Sequence, residues 1–210
     1  MKISVLVVFD VDSTLIAHEA IEEIADVLGK RELVASITDR AMSGEIDFVE
    51  SLNQRVQLLE GVSEQRLIEI SESFKVNDGA AELIQHVHSL GGKACAVSGG
   101  FNSLLAPIAR KLGLDGYLAN TLELENGELT GRLIPPIIDA EAKKSALVSW
   151  SEQFGIPMSK TVAIGDGAND LRMMEAAAVS VGFLPKPIVA KSCDYVIESP
   201  DFRPVIKLLP

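Results

Sequence analysis

A short apolar run, residues 3–9 with only Ser4 polar, leads directly into Asp10-Val11-Asp12-Ser13-Thr14. A run this short and this rich in β-branched residues has the pattern of a strand buried on both faces of a parallel sheet. Similar runs recur at 94–97, 117–119, 161–164, 179–183 and 195–197. Helical spacing fills most of the intervals between them. Ala80, Leu83, Ile84, Val87 and Leu90 share one face, as do Leu104, Leu105, Ile108 and Leu112, and then Leu147, Trp150 and Phe154. Strands alternating with helices predict an α/β fold built on a doubly wound, Rossmann-like parallel sheet.

The interval between Thr14 and Phe74 breaks the alternation. It carries helical periodicity only: Ile21, Ile24 and Leu28; Leu33 and Ile37; Leu52, Val56 and Leu59; Leu67, Ile70 and Phe74. The pattern predicts a helical cap, residues 15–74, inserted after the first strand of a core made of 1–14 and 75–210. Its crossings, near 14–17 and 75–79, are natural hinges for a lid. A second, smaller insertion is expected at 121–133, where Asn126-Gly127 between alternating leucines is a strong hairpin signal. Glu123, Glu125 and Glu128 read there as a solvated face, and Pro135-Pro136 marks the return to the core.

The 210 residues carry a net charge of −11. An acidic surface argues against nucleic acid and against a polybasic membrane contact. Attraction of an anionic ligand must therefore come from a local site. Only two cysteines are present, Cys95 and Cys193, which excludes a disulfide framework and fits a reducing compartment. The first apolar run is too short for a membrane span and wrongly flanked for a signal peptide, so a cytoplasmic protein is expected.

Three loops and one lysine could carry chemistry. Asp10 and Asp12 follow the first strand, and functional sites of open parallel sheets lie at the carboxyl ends of strands. Crowding two aspartates there is costly without a cation. A calcium loop of the EF-hand kind is excluded, because Leu15 and Ile21 stand where it needs glycine and glutamate. Gly165-Asp166-Gly167-Ala168-Asn169-Asp170 brings a second acidic cluster to the same edge. Together the loops make a hard-oxygen site suited to Mg²⁺ and a phosphate. Ser98-Gly99-Gly100, read as the loop after strand 94–97, offers a hydroxyl and unhindered N–H groups as a phosphate cradle. Lys143 and Lys144, read as beginning a helix, would be ordinary surface charges in isolation. His18, His86 and His88 lack metal-ligand spacing, Trp150 reads as core, and Cys95 reads as an inert buried thiol.

Those four motifs, in that order, resemble the haloacid dehalogenase superfamily of phosphatases, and within it the phosphoserine phosphatases, over nearly the whole chain. The resemblance implies Mg²⁺-dependent hydrolysis of O-phosphoserine through an aspartyl phosphate, the last step of serine biosynthesis. It implies Asp10 as the nucleophile and Asp12 as the general acid/base. It implies Mg²⁺ held by Asp10, the main-chain carbonyl of Asp12, and Asp166, with Asp170 orienting metal water or Lys143. Ser98, Gly99, Lys143 (rather than Lys144) and Asn169 match phosphate-binding positions. In the cap, Glu19 and Arg55 resemble the pair that recognises the ammonium and carboxylate of serine, and Met42 and Phe48 resemble residues that cover it.

The chain departs from the family pattern at Val11, where an aromatic residue is commoner, and at Phe183-Leu184-Pro185-Lys186-Pro187, which replaces the usual Ala-Lys-Pro ending. With no module ahead of the first strand, feedback control through a separate amino-acid-binding domain is not expected. A small-molecule substrate and a monomer or homodimer are expected, without nucleic acid or membrane. The nearest alternative is the same chemistry, or phosphoryl transfer, on another small phosphomonoester. A phosphoryl-receiver module shares the acidic magnesium pocket but needs neither a helical cap nor Asp12 as an acid.

Overall fold

A computed structural model describes residues 4–42 and 45–209, the side chain of Met42 excepted. The first strand, β1 (Leu6–Phe9), is wholly buried, as its sequence requires. It is followed by a tight turn over Val11–Leu15 and then by four helices: α1 (Ala20–Asp26), α2 (Arg31–Met42), α3 (Phe48–Gln57) and α4 (Glu64–Ser73). The chain continues through α5 (Ala80–Ser89), β2 (Lys93–Phe101), α6 (Asn102–Leu112), β3 (Gly116–Glu125) and β4 (Glu128–Ile134). It ends with α7 (Ala140–Phe154), β5 (Thr161–Gly165), α8 (Leu171–Ala176), β6 (Val179–Phe183), α9 (Pro187–Ala190), β7 (Tyr195–Ile197) and α10 (Arg203–Ile206). Helix ends carry recognisable stops. The Asp139 carboxylate accepts the Ala142 N–H at the start of α7, and Gly155, at φ 64°, closes that helix.

The seven strands lie in the order β4-β3-β2-β1-β5-β6-β7, parallel except for the β3–β4 hairpin. β1 therefore sits centrally, between β2 and β5. Its side chains alternate between two apolar layers: Val7 and Phe9 face one, with Val5 just before the strand, and Leu6 and Val8 the other. The first layer continues into the helices after β1 through Ile24, Val34, Leu52, Val56, Leu59 and Leu67, so those helices share a core with one sheet face. The second layer is capped by α7 and α8 through Leu147, Met173 and Met174.

Several local readings change. Residues 117–119 and 121–125 are one strand, β3, so the hairpin prolongs the sheet. Ser98, Gly99 and Gly100 belong to the irregular end of β2, where the pairing with β3 shifts register between Val97 and Phe101. Lys143 stands inside α7, which begins at Ala140. Leu33 is exposed and its neighbour Val34 is the buried residue, while Leu28 lies past the end of α1 and is exposed.

The two crossings between the sheet and α1–α4 pair with each other. Ile16 bridges Val76, the Ala17 N–H donates to the Lys75 carbonyl at 3.0 Å, and the Asn77 side-chain amide donates to the Thr14 carbonyl at 2.7 Å. The β3–β4 hairpin reaches the loop between α3 and α4. There the Gly61 N–H donates to Leu129, the Leu129 N–H to Val62 and the Glu64 N–H to Gly127. Among the described residues, no helix is long and apolar enough to cross a membrane.

Candidate active site

Strand register brings the acidic loops together. Phe9 lies level with Ala96 on β2 and with Ile164 on β5, and the Asp10 N–H donates to the Ile164 carbonyl at 2.8 Å. The next residue on each strand therefore emerges at one edge. Asp10, Asp166 and Asp170 are buried there, with carboxylate oxygens within 4.8 Å of one another. Lys143 reaches them from α7 and is fully buried. Its ammonium donates to Asp10 and, at 2.8 Å, to Asp170. The second Asp170 oxygen accepts the N–H groups of Asp166 and Gly167, each at 3.1 Å. Asp170 is thus saturated by protein donors and locks the loop to the lysine. Asp166 is held more loosely, by the Thr14 hydroxyl at 3.4 Å and Lys186 Nζ at 3.6 Å.

Asp12 faces away from this cluster. The backbone turns at Asp12 (ψ 134°) and Ser13 (φ 55°), so the side chain points toward the helices that follow. One oxygen accepts the Ala20 N–H at the start of α1 at 2.8 Å, and the other accepts the Ser98 hydroxyl at 3.0 Å. The Ser98 oxygen in turn accepts the Gly100 N–H at 2.7 Å. A Cβ at Gly100 would fall 2.6 Å from an Asp12 oxygen, so that position demands glycine. A Cβ at Gly99 would meet nothing closer than Phe48, at 3.7 Å, so no protein atom demands glycine there.

Above this floor lies a cavity of about 110 Å³. One water needs roughly 10–15 Å³ on this measure, so the space suits a small polar molecule. Asp10, Asp12, Asp166, Asn169, Gly99 and Gly100 line its floor, and Glu19, Ile21, Phe48, Leu52 and Arg55 form its roof. Of the residues anticipated from sequence, Asp10, Asp12, Asp166, Asn169, Gly99, Glu19 and Arg55 line the cavity, while Ser98, Lys143 and Asp170 stand behind its wall. The Met42 side chain lies outside the described residues. In the roof, the Ser13 hydroxyl donates to Glu19 at 2.6 Å. Arg55 has no carboxylate within ion-pair distance among the described residues.

Lys186 also lines the cavity, and sequence reasoning alone does not mark it as a site residue. Its N–H donates to the Asp166 carbonyl at 2.9 Å, and Leu184, at φ 45°, turns the chain that delivers it. The available signal is a lysine held between Pro185 and Pro187, just past the end of β6.

Electrostatics separate the groups. Burial pushes Asp166 up to about 6, with Lys186 opposing and Asp170 adding to the rise. Asp12 is also pushed up to about 6, by burial and then by Glu19, against the donors Ala20 and Ser98. Asp10 is raised by burial and by Asp170, while Lys143 pulls it back. Burial disfavours the Lys143 ammonium, yet the charges of Asp10 and Asp170 overcome this and hold it protonated. Burial lowers Arg55, partly offset by Glu19 and Asp12. Three buried carboxylates against one buried lysine leave an excess of negative charge that a divalent cation would offset. Elsewhere Cys95, buried in β2, has its thiol pushed up to about 12 by burial, which makes it inert.

Comparison with known proteins agrees with this geometry. The haloacid dehalogenase-like hydrolase family model matches residues 5–178. The phosphoserine phosphatase of Streptococcus thermophilus is 40% identical over 204 residues, 97% of this chain and 95% of that protein. Phosphoserine phosphatase SerB2 of Mycobacterium tuberculosis is 42% identical over 97% of this chain, which spans 50% of that longer relative. A solved structure, a phospho-aspartyl intermediate analogue of phosphoserine phosphatase, superposes with a TM-score of 0.92 at 37% identity and covers 99% of both chains. Matched along nearly its whole length, the chain belongs to the haloacid dehalogenase-like hydrolases, in the phosphoserine phosphatase family.

Proposed function

We propose that this protein hydrolyses O-phospho-L-serine to L-serine and phosphate, with Mg²⁺ as cofactor and an aspartyl phosphate on Asp10 as intermediate. The observation that carries the reading is one small cavity with two unlike surfaces. Its floor holds Asp10 and Asp166 beside buried Lys143, and its roof holds one carboxylate, Glu19, and one guanidinium, Arg55. Phosphoserine carries a phosphate, an ammonium and a carboxylate, which these groups complement in turn.

Asp10, the main-chain carbonyl of Asp12, and Asp166 would hold Mg²⁺; the ion, when bound, offsets charge between carboxylate and phosphate and orients both. Asp170, with both oxygens engaged by Lys143 and the 166–167 backbone, serves as an orienting group. An Asp10 oxygen attacks phosphorus, and the bond from phosphorus to the seryl oxygen breaks. Asp12, raised toward neutrality, gives its proton to that oxygen. Water then attacks the phosphorus, Asp12 takes its proton, and the Asp10 carboxylate is released. Lys143 opposes the burial-driven rise of Asp10 and screens the phosphoryl group, and Gly99, Asn169 and Ser98 line or support the cradle. Glu19 grips the substrate ammonium and Arg55 its carboxylate, with Phe48 covering them.

Residues 15–74 act in this reading as a lid on a core of 1–14 and 75–210, with 121–133 as a second insertion. The paired crossings, 14–17 and 75–77, are its hinge. The cytoplasmic setting rests on cysteine usage. The testing experiment is phosphate release from O-phospho-L-serine with and without Mg²⁺, beside Asp10→Asn. Turnover that needs the metal and falls on the order of a thousandfold or more in the variant is expected. Metal-independent release, or full activity in the variant, overturns the assignment.

A further inference from the structure

Arg55 is a cation in a partly buried roof, and among the described residues no carboxylate comes within ion-pair distance of it, so hydrogen bonds rather than an ion pair hold its orientation. Two contacts do so. Nε donates to the Ser51 carbonyl one turn back on α3, at 3.3 Å. Nη1 donates to the Thr38 hydroxyl oxygen on the neighbouring α2, also at 3.3 Å. The Thr38 hydroxyl spends its own proton on the Val34 carbonyl, at 3.1 Å. A threonine that bonds back along its helix in this way presents only lone pairs outward. Thr38 is thereby a pure acceptor aimed at the guanidinium.

We propose that Thr38 is a positioning residue for substrate specificity: its hydroxyl oxygen fixes the Arg55 guanidinium so that the remaining N–H groups face the substrate carboxylate. This rests on the reading of Arg55 as the carboxylate contact. An arginine side chain loses rotamer freedom when it grips a ligand, and ordering it before the substrate arrives spares that cost on binding. The Ser51 contact holds the guanidinium plane at one nitrogen only, Nε. The Thr38 contact, from a second helix, holds it at a second, Nη1. Thr38 does not line the cavity, and its hydroxyl bonds Val34 and Arg55, so its influence falls through Arg55 on binding of the serine part and not on the phosphate.

The test compares KM and kcat for O-phospho-L-serine with the inhibition constant of inorganic phosphate, which occupies only the floor. Thr38→Val keeps the shape and removes the acceptor. It is expected to raise KM about tenfold, as for loss of one hydrogen bond to a charged group. Its kcat and its phosphate inhibition constant should stay within about twofold of the parent, and Thr38→Ser should restore KM. In an Arg55→Ala background, Thr38→Val should add nothing. Thr38→Ala repeats the comparison without the branched methyl groups, should the valine variant fold poorly. Equal weakening of phosphoserine and phosphate, no rescue by serine, or a further loss in the Arg55→Ala background overturns the proposal. If Arg55→Ala leaves KM for phosphoserine unchanged, the carboxylate reading of Arg55 falls and this inference with it. If Arg55→Ala raises KM selectively and neither Thr38→Val nor Thr38→Ala does, the role of Thr38 alone is overturned.

Discussion

The floor and the roof of the cavity are built to different standards of rigidity. On the floor, Lys143 bonds two carboxylates, one of these bonds two backbone N–H groups, and every member is buried. Two adjacent parallel strands, β1 and β5, and α7 hold that network. In the roof, Glu19 takes one hydroxyl from Ser13, and Arg55 takes two contacts at 3.3 Å from α2 and α3. A floor of interlocked charges suits phosphoryl chemistry, which asks for groups placed in advance around phosphorus. A sparsely bonded roof suits a surface that must release and regrip an amino acid as a lid moves.

The comparison breaks most readily at Lys143. Lys143→Ala leaves Asp10 and Asp170 buried without their cation, and removing one partner of a buried pair costs about 3–5 kcal/mol. Chemical denaturation should show a loss of that order, together with near-complete loss of phosphoserine turnover. A stable variant with partial activity would mean the floor is not an interlocked unit. Arg55→Ala is the matching change in the roof. It should raise KM for phosphoserine by roughly thirtyfold or more, as for one side of a desolvated charge pair, with unfolding free energy changed by less than about 1 kcal/mol. Equal destabilisation by the two variants would erase the distinction.

A smaller effect sharpens it. Asp12 and Asp166 both sit at about 6 rather than near the ordinary aspartate value. A carboxyl raised in the folded state contributes stability that is complete below its unfolded value and is lost as pH rises through about 6. The metal-free protein should therefore melt at a higher temperature at pH 5 than at pH 7.5. Asp166, 7% exposed, supplies on the order of 1 kcal/mol of that difference, because the loss accrues at roughly 1.4 kcal/mol for each tenfold fall in proton activity until the folded-state carboxyl ionises at about 6. Mg²⁺ should shrink the difference, since it favours the ionised form. A melting temperature that falls on acidification across this interval, without metal, would contradict the burial of uncompensated carboxylates.

The floor is largely legible in the sequence because its residues follow buried strands, and strand ends in a parallel sheet share an edge. Asp10, Asp166 and Asp170 can be placed together from Phe9, Ile164 and the alternation of elements alone. Lys186 cannot, because its approach depends on the left-handed turn at Leu184, which no local pattern announces. The continuity of β3 into the hairpin is hidden by the polar residues Asn120 and Thr121. Both the Asn120 side chain, bonded to Gly99 and Ile138, and the strand it lies in are decided by long-range pairing. Leu33 takes the place of Val34 in the sequence reading because a short amphipathic helix leaves its phase open by one residue.

The sequence by itself determined the class of fold, the order of the motifs and the chemical types of the reacting groups, since apolar periodicity and clustered carboxylates are local properties of the chain. Only the tertiary structure decided which oxygens are already taken. It set Asp12 against Ser98 and the start of α1, saturated Asp170 with Lys143 and two N–H groups, and, among the described residues, left Arg55 without a carboxylate in ion-pair distance. Those outcomes depend on which partners arrive from distant segments, because a buried polar group takes its state from whatever donors and charges the packing brings within reach.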